Sequence, residues 1–126
     1  MEINTTKRTE FINITKRVQE EIPASFSGIV TVFVPHTTAG VTINECADPD
    51  VVTDMISTLN RLVPNDPLYK HAEGNSDSHV KASLLGSSIQ VIVKNGSLVL
   101  GTWQGIFFCE FDGPRNRNVF VHLLPK

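Results

Sequence analysis

The sequence of 126 residues is poor in cysteine and in aromatic residues, and it has no excess of positive charge. Its two cysteines, Cys46 and Cys109, form no CxxC pair, which excludes a disulfide scaffold and favours free thiols in a reducing compartment. Eleven Lys and Arg stand against thirteen Asp and Glu, so the net charge is −2. This balance argues against a protein that binds nucleic acid.

Long hydrophobic runs and the common nucleotide-binding motifs are also missing. No apolar run approaches the roughly 20 residues that a membrane span requires, and the polar first residues do not predict a signal peptide. We therefore expect a cytoplasmic protein without a membrane partner. The absence of a Walker loop, of GxGxxG after a strand and of GxSxG argues against the enzyme classes that these motifs mark.

The remaining composition, 40% hydrophobic and 19% charged, is that of a folded protein with one domain, residues 1–126. Alternating or β-branched runs predict strands, and Asn95-Gly96 predicts a hairpin turn. The predicted strands cover 2–14, 28–34, 41–45, 87–93, 98–100 with its continuation over 103–111, and 119–124. Residues 112–118 are predicted to form a turn.

Helical spacing appears in three segments. The clearest follows Asp48-Pro49, where Asp48 suits the N-cap and Pro49 the first helical position, and it ends at Pro64. Two shorter helices are predicted from Thr15, as N-cap, to Pro23 and over 78–85, before Gly86. Together these elements predict an α+β fold with a mainly antiparallel sheet and two or three helices.

Histidines are the first candidates for chemistry, because neutral imidazole binds zinc and similar ions. His36 follows a predicted buried strand, and His71 and His79 flank a polar loop. The spacing between His71 and His79 does not place them on one helical face, as in HExxH. Both a metal site and ordinary surface or packed histidines fit this pattern.

Acids and arginines in unusual positions form a second group. Glu45 shares a strand face with apolar residues, and Glu110 lies inside an apolar strand, so each carboxylate needs a partner. Glu110 is expected either to pair with Arg115 or Arg117 or to act in a site. The two arginines flank a turn, where they can hold a phosphorylated ligand or simply face solvent. For Asp48, a structural role as the helix N-cap is the alternative to a catalytic role.

Three motifs together resemble the YjbQ family across nearly the whole chain. They are His36-Thr-Thr-Ala-Gly-Val-Thr-Ile-Asn-Glu45 with Asp48-Pro49, then His71-Ala-Glu-Gly-Asn-Ser-Asp-Ser-His79, then Leu100-Gly-Thr-Trp-Gln104 through Glu110-Phe-Asp-Gly-Pro-Arg115. The resemblance implies a compact α+β fold and a homotrimer. Some members of that family are described as secondary thiamine-phosphate synthases, which join a thiazole phosphate to a pyrimidine pyrophosphate and release pyrophosphate.

The resemblance also implies roles for individual residues. The implied metal ligands are His36, His71 and His79. Glu45, Asp48 and Glu110 are expected to be catalytic. Asn75, Gln104 and Arg115 are implied members of the substrate-binding pocket. Arg117 and Lys81 are added as expected substrate-binding residues because the departure of pyrophosphate requires positive charge.

Three imidazoles favour zinc or a similar transition ion over magnesium, which prefers oxygen ligands. Two hypotheses follow from this set. The first is a metal-dependent enzyme that acts on a small phosphorylated molecule, with the synthase reaction as one form of it. The second is a trimeric module without catalytic activity that binds a small anion or another protein.

Overall fold

The computed structural model describes residues 1–126, which form nine strands and three helices. The elements, in chain order, are β1 (Glu2–Asn4), β2 (Glu10–Asn13), α1 (Thr15–Glu20), β3 (Gly28–Phe33), β4 (Ala39–Glu45), α2 (Pro49–Leu62), α3 (Ser76–Leu85), β5 (Ser88–Lys94), β6 (Ser97–Leu98), β7 (Gln104–Glu110), β8 (Asn116–Asn118) and β9 (Phe120–Pro125). Every strand pairing is antiparallel. The predicted α+β class is confirmed.

The strands form three sheets, in the orders β6-β5-β3-β9, β2-β7-β4 and β1-β8. In the four-stranded sheet, β3 is central because its β-branched residues pair with β5 on one side and β9 on the other. Asn95 and Gly96 both have positive φ, 47° and 80°, and connect β5 to β6 as the predicted hairpin.

Strand β7 joins the two hydrophobic cores of the molecule. Its residues Ile106 and Phe108 point into the larger core, which also contains inward-facing residues of β3, β5 and α1. The alternate residues Phe107 and Cys109 point to the opposite face, where residues of α2 and α3 pack. Because both faces of β7 are covered, its sequence is an almost continuous apolar run.

Helices α2 and α3 begin and end close to the predicted positions. The Asp48 carboxylate accepts a hydrogen bond from the backbone N–H of Asp50 at 2.9 Å, and Pro49 occupies the first turn of α2. Helix α3 begins at Ser76, two residues earlier than predicted, and ends before Gly86, whose φ is +94°. No helix in the structure is long and apolar enough to cross a membrane.

Several predicted elements are wrong in their extent. The strand expected over 2–14 is two strands in different sheets, because the segment between β1 and β2 hydrogen-bonds to the turn near Arg115 instead of continuing. The expected continuation of the hairpin strand into 103–111 also fails, since β6 and β7 belong to different sheets. Part of the predicted turn 112–118 forms β8, paired with β1.

Thr15 is not the N-cap of α1, whose cap residue is Ile14. The Thr15 hydroxyl instead donates to Asn13 Oδ1 at 2.6 Å and accepts the backbone N–H of Ile106 at 2.8 Å. The side chain is therefore committed to neighbours on β2 and β7, and α1 begins without a side-chain cap.

Candidate functional site

A polar cavity lies at one end of the three-stranded sheet, where the chain enters β4 and leaves β7. Its volume is about 450 Å³, and every lining residue except Pro35 has a polar side chain. The connection from β3 to β4, the loop before α3 and the segment after β7 all contribute to it. The lining residues are Pro35, His36, Thr37, Thr38, His71, Glu73, Asn75, His79, Asp112, Arg115 and Arg117.

His71 and His79 are brought together although seven residues separate them. His71 lies in the loop before α3 and His79 in the first turns of that helix, and their ring centroids are 5.5 Å apart with the planes at 88°. Two imidazoles that bind one tetrahedral zinc ion have centroids about 5 Å apart. The observed distance between the ring centroids is close to this value.

The rest of the donor set does not complete a protein cage. No group of three or more His, Cys, Asp or Glu side chains is close enough to hold a metal ion. Glu73 is an acid of the same loop, but its Oε1 lies 4.0 Å from His71 Nε2, beyond hydrogen-bonding distance. Any ion held by the two histidines would therefore take its other ligands from outside this set.

His36 lines the same cavity but its Nε2 atom is already occupied. This nitrogen accepts a hydrogen bond from the backbone N–H of Asn118, the last residue of β8, at 2.9 Å. Burial lowers the pKa of His36, and the nearby positive charge of Arg117 lowers it further. Both effects favour the neutral ring.

Glu110 and Arg117 form a buried ion pair at the cavity, which Arg117 lines. The guanidinium donates from both Nε and a terminal nitrogen to the carboxylate, and the two side chains are 0% and 3% exposed. The Glu110 carboxylate also accepts from the Thr5 hydroxyl and the Asp112 backbone N–H, each at 2.9 Å. Burial opposes ionisation of Glu110, but these donors, Arg117 first, hold its pKa below the ordinary value.

Arg117 has further partners that fix the cavity wall. It donates to the Thr38 hydroxyl at 2.8 Å and to the Thr38 carbonyl oxygen at 3.4 Å. The ion pair therefore connects the segment after β1, the connection into β4 and the segment after β7. One of the two interpretations that the sequence left open for Glu110, a salt bridge to an arginine, is the arrangement found.

Arg115 is the cation at the cavity that remains half-exposed. Its guanidinium donates to the Asp112 carboxylate at 3.0 Å and to the Asp112 carbonyl oxygen at 2.9 Å. Asn75 donates to the same carboxylate at 2.7 Å, while its buried Oδ1 atom has no hydrogen-bond partner. Asp112 thus orients both an arginine and an amide on the cavity wall.

Lys81 lies outside the cavity, in a separate buried network. Its ammonium group donates to Asn60 Oδ1 at 2.7 Å and to the Asp77 carboxylate at 3.4 Å. Arg8 completes the network with a bidentate contact to Asp77. Burial opposes the ionisation of Asp77, but the hydrogen bonds and charges of Arg8, and to a smaller extent Lys81, hold its pKa below the ordinary value. The network ties α2, α3 and the segment before β2 together.

The structure does not bring Glu45, Asp48 and Gln104 to the histidines within one chain. Ala39 is at the end of β4 next to the cavity, and Glu45, which pairs with Gln104, is at the other end. The six residue steps from Ala39 to Glu45 span about 20 Å in a strand. Glu45 accepts the backbone N–H of Asp48 at 3.2 Å, Asp48 caps α2, and Gln104 accepts from Gly101. All three have local structural contacts.

Sequence reasoning gave no role to Asp112, although it lies in the third motif, and did not identify the Asn118 backbone amide. Asp112 had a usable signal, since an acid that directly follows a buried strand and precedes Gly113-Pro114 lies where a strand opens into a turn. The Asn118 amide had none, because a backbone donor leaves no mark on the side-chain pattern.

Two curated proteins are similar to this chain along nearly its whole length. A UPF0047 protein of Methanocaldococcus jannaschii is 50% identical over 98% of this chain and 91% of its own. The UPF0047 protein YugU of Bacillus subtilis is 49% identical over 98% and 96%.

Two crystal structures extend the comparison to the fold. An uncharacterised YjbQ/UPF0047 family protein of Clostridium acetobutylicum matches with a TM-score of 0.95 at 52% identity, covering 98% of both chains. A hypothetical protein of Aeropyrum pernix matches with a TM-score of 0.93 at 34% identity, over 100% of this chain and 96% of its own. The family model described as UPF0047 protein YjbQ-like matches residues 1–126. This chain therefore belongs to the uncharacterised YjbQ/UPF0047 family.

Proposed function

We propose that the polar cavity is the active site of a metal-dependent enzyme, in which His71 and His79 hold a divalent transition ion beside a small phosphorylated ligand. The observation that carries this proposal is the pair of imidazoles 5.5 Å apart inside a cavity with an almost entirely polar wall. Imidazole nitrogens favour zinc or a similar ion over magnesium. Two protein ligands leave coordination positions for water and for a ligand oxygen.

When bound, such an ion would polarise a phosphoryl or carbonyl oxygen, or lower the pKa of a bound water. The chain itself supplies the orientation. Arg115 is held by Asp112 and offers its remaining N–H groups to an anionic oxygen.

Two of the predicted phosphate-binding cations are committed elsewhere. Arg117 is paired with Glu110, and Lys81 with Asp77, in each case below the surface. Both cations are paired with a carboxylate and closed to solvent, so neither offers its charge to a ligand, whereas Arg115 is half-exposed although it contacts Asp112. Arg115 and the proposed ion would supply most of the positive charge at the site.

The synthase reaction stays a prediction of this proposal. Departure of pyrophosphate requires positive charge on the leaving group, which Arg115 and a metal ion can provide. Catalytic roles for Glu45 and Asp48 would require a second copy of the chain, because they lie at the other end of β4. A coupling assay with the two phosphorylated precursors, in wild type and Arg115→Ala, tests this reaction separately from metal binding.

Metal analysis of the purified protein tests the central proposal. We expect close to one zinc or similar ion per chain in wild type and almost none in the His71→Ala/His79→Ala double variant. The matched control is His122→Ala, because His122 is an exposed histidine on β9 that lines no part of this cavity. Equal metal content in wild type and the double variant would overturn the assignment of these ligands.

A second candidate function is a homotrimeric module that binds a small anion without catalysis. Its support is the outer face of the four-stranded sheet, where Phe33, Ile92, Phe120 and Leu124 are 42%, 58%, 60% and 58% exposed. An apolar face of this kind is typical of a subunit interface. We expect light scattering to give three times the chain mass of 13.9 kDa.

Stabilisation by anions without turnover would favour this second function, whereas a monomer at working concentration would contradict the trimer.

A cytoplasmic location also stays a prediction.

A further inference from the structure

The direction of one hydrogen bond limits what His36 can do. A backbone N–H is always a donor, so the His36 Nε2 atom that receives the Asn118 N–H at 2.9 Å must be an acceptor and carries no proton. A neutral imidazole has one proton, which is therefore on Nδ1. Turning the ring over would place a carbon atom against the Asn118 N–H and leave this donor without its partner.

This tautomer is poorly suited to metal binding. A neutral histidine ligates an ion through its unprotonated nitrogen, and in His36 that nitrogen is occupied. Ligation through Nδ1 would move the proton to Nε2, and two N–H groups would then face each other between His36 and Asn118. The remaining function of Nδ1 is to donate a hydrogen bond, and no other group of the protein accepts one from it.

The surroundings favour an anionic partner for that donor. His36 lines the polar cavity together with His79 and Arg115, and it also borders an adjoining cavity of about 460 Å³ shared with His79. The Asn118 N–H belongs to β8, which is paired with β1, and the preceding residue, Arg117, is fixed by its hydrogen bond to Glu110. The donor is thereby fixed in orientation before a ligand arrives.

We propose that His36 is a substrate-binding residue, not a metal ligand, and that it donates from Nδ1–H to an anionic oxygen of the phosphorylated ligand. The inference rests on the proposed function, because it specifies how the ligand of that same cavity is recognised. It divides the histidines by role: His71 and His79 for the ion, His36 for the ligand.

Nuclear magnetic resonance of the full chain labelled with ¹⁵N-histidine tests the tautomer directly. The long-range ¹H–¹⁵N pattern at neutral pH is expected to show His36 with a protonated Nδ1 and an unprotonated Nε2, assigned by its loss in His36→Asn. Added Zn²⁺ should shift the signals of His71 and His79 and leave this pattern unchanged. A protonated Nε2 in His36, or a metal-bound pattern after addition of zinc, would overturn the proposal.

Two amide substitutions separate the two nitrogens in a binding measurement with inorganic phosphate. Glutamine at this position can still accept the Asn118 N–H but has no donor where Nδ1 stood, whereas asparagine places its N–H₂ near Nδ1. We expect His36→Gln to weaken phosphate binding about tenfold or more, and His36→Asn to weaken it less. The control is His122→Gln, which makes the same change away from the cavity and should leave phosphate binding unchanged.

Metal content distinguishes failure of this inference from failure of the proposed function. If His36→Gln loses zinc as His71→Ala does, or binds phosphate as well as wild type, the donor role is wrong and the metal pair stands. If wild type binds no zinc but His36→Gln still loses phosphate affinity, the metal half of the proposed function is wrong and the donor role stands.

Discussion

Two groups of ionisable side chains meet at the polar cavity, one buried and one exposed. In the buried group, Glu110 and Arg117 satisfy each other and are closed to solvent. On the cavity wall, His71 and Arg115 are about half-exposed, and the ring nitrogens of His71 and His79 make no hydrogen bond within the protein. The comparison teaches that proximity to a site does not make a charge reactive. A buried charge with a complete set of partners supports structure, whereas an open one is available to a ligand.

The largest expected effect comes from breaking the buried pair. Arg117→Met leaves the Glu110 carboxylate buried without its cation and should lower the free energy of unfolding by about 3–5 kcal/mol. Arg115→Met is the matched control, because that arginine is half-exposed and should cost no more than about 1 kcal/mol. Urea denaturation measures both values. Equal losses in the two variants would remove the distinction between the two groups.

Acid should weaken the same pair without any substitution. The pKa of Glu110 is lower in the folded protein than its ordinary value of 4.5, so the unfolded chain binds more protons as the pH falls. The stabilisation by Glu110 is present above pH 4.5 and is lost as the pH falls through the folded pKa. Urea midpoints between pH 6 and pH 3 should therefore fall less steeply in a Glu110→Gln variant than in wild type. Parallel curves would contradict the assignment.

Asp48 tests the opposite end of β4, where a predicted catalytic residue has a structural contact. Asp48→Ala removes the acceptor for the Asp50 N–H and should cost about 1 kcal/mol. Asp48→Asn retains a side-chain oxygen that can cap α2, so it should recover most of that loss while removing the charge. If Asp48→Asn keeps stability but abolishes turnover in the coupling assay, Asp48 has a catalytic role in addition to the cap.

The smallest stability effect is expected on the open wall. The His71 imidazole is exposed and has no close hydrogen-bond partner, so His71→Ala should change the free energy of unfolding of the metal-free protein by no more than about 0.5 kcal/mol. The measurement is thermal or urea unfolding after treatment with a chelator. Addition of Zn²⁺ should raise the free energy of unfolding of the wild type but not that of His71→Ala. A large loss in the metal-free state would indicate that His71 supports the fold instead.

Local chemistry made several elements predictable. The Asp48-Pro49 start of α2, the Asn95-Gly96 turn and the β-branched run of β3 each depend on residues next to one another, and all three were confirmed. The division of residues 2–14 into two strands was not predictable, since its cause is hydrogen bonding to a turn more than 100 residues away. Alternation of apolar residues indicates a strand but does not say which sheet it joins.

The candidate site shows the same limit at the level of single side chains. The structure gathers His36, His71, His79 and Arg115, which the sequence motifs contain, around one cavity. Glu45, Asp48 and Gln104 belong to the same motifs but lie at the other end of β4. The division of the charged residues into open and committed groups was not visible in the sequence. Lys81, for example, has the sequence context of an ordinary helical lysine, and only packing shows that it is buried against Asp77 and Asn60.

The sequence by itself determined the class of the fold, the capped start of α2, the hairpin and the residue types available for chemistry, because these follow from short-range preferences along the chain. Only the tertiary structure decided which charged side chains pair with each other in the interior and which face the cavity. It also decided the tautomer of His36, because that depends on a backbone amide 82 positions away. Hydrogen bonds between distant segments form only when the whole chain has folded, and they determine which side chains remain free to react.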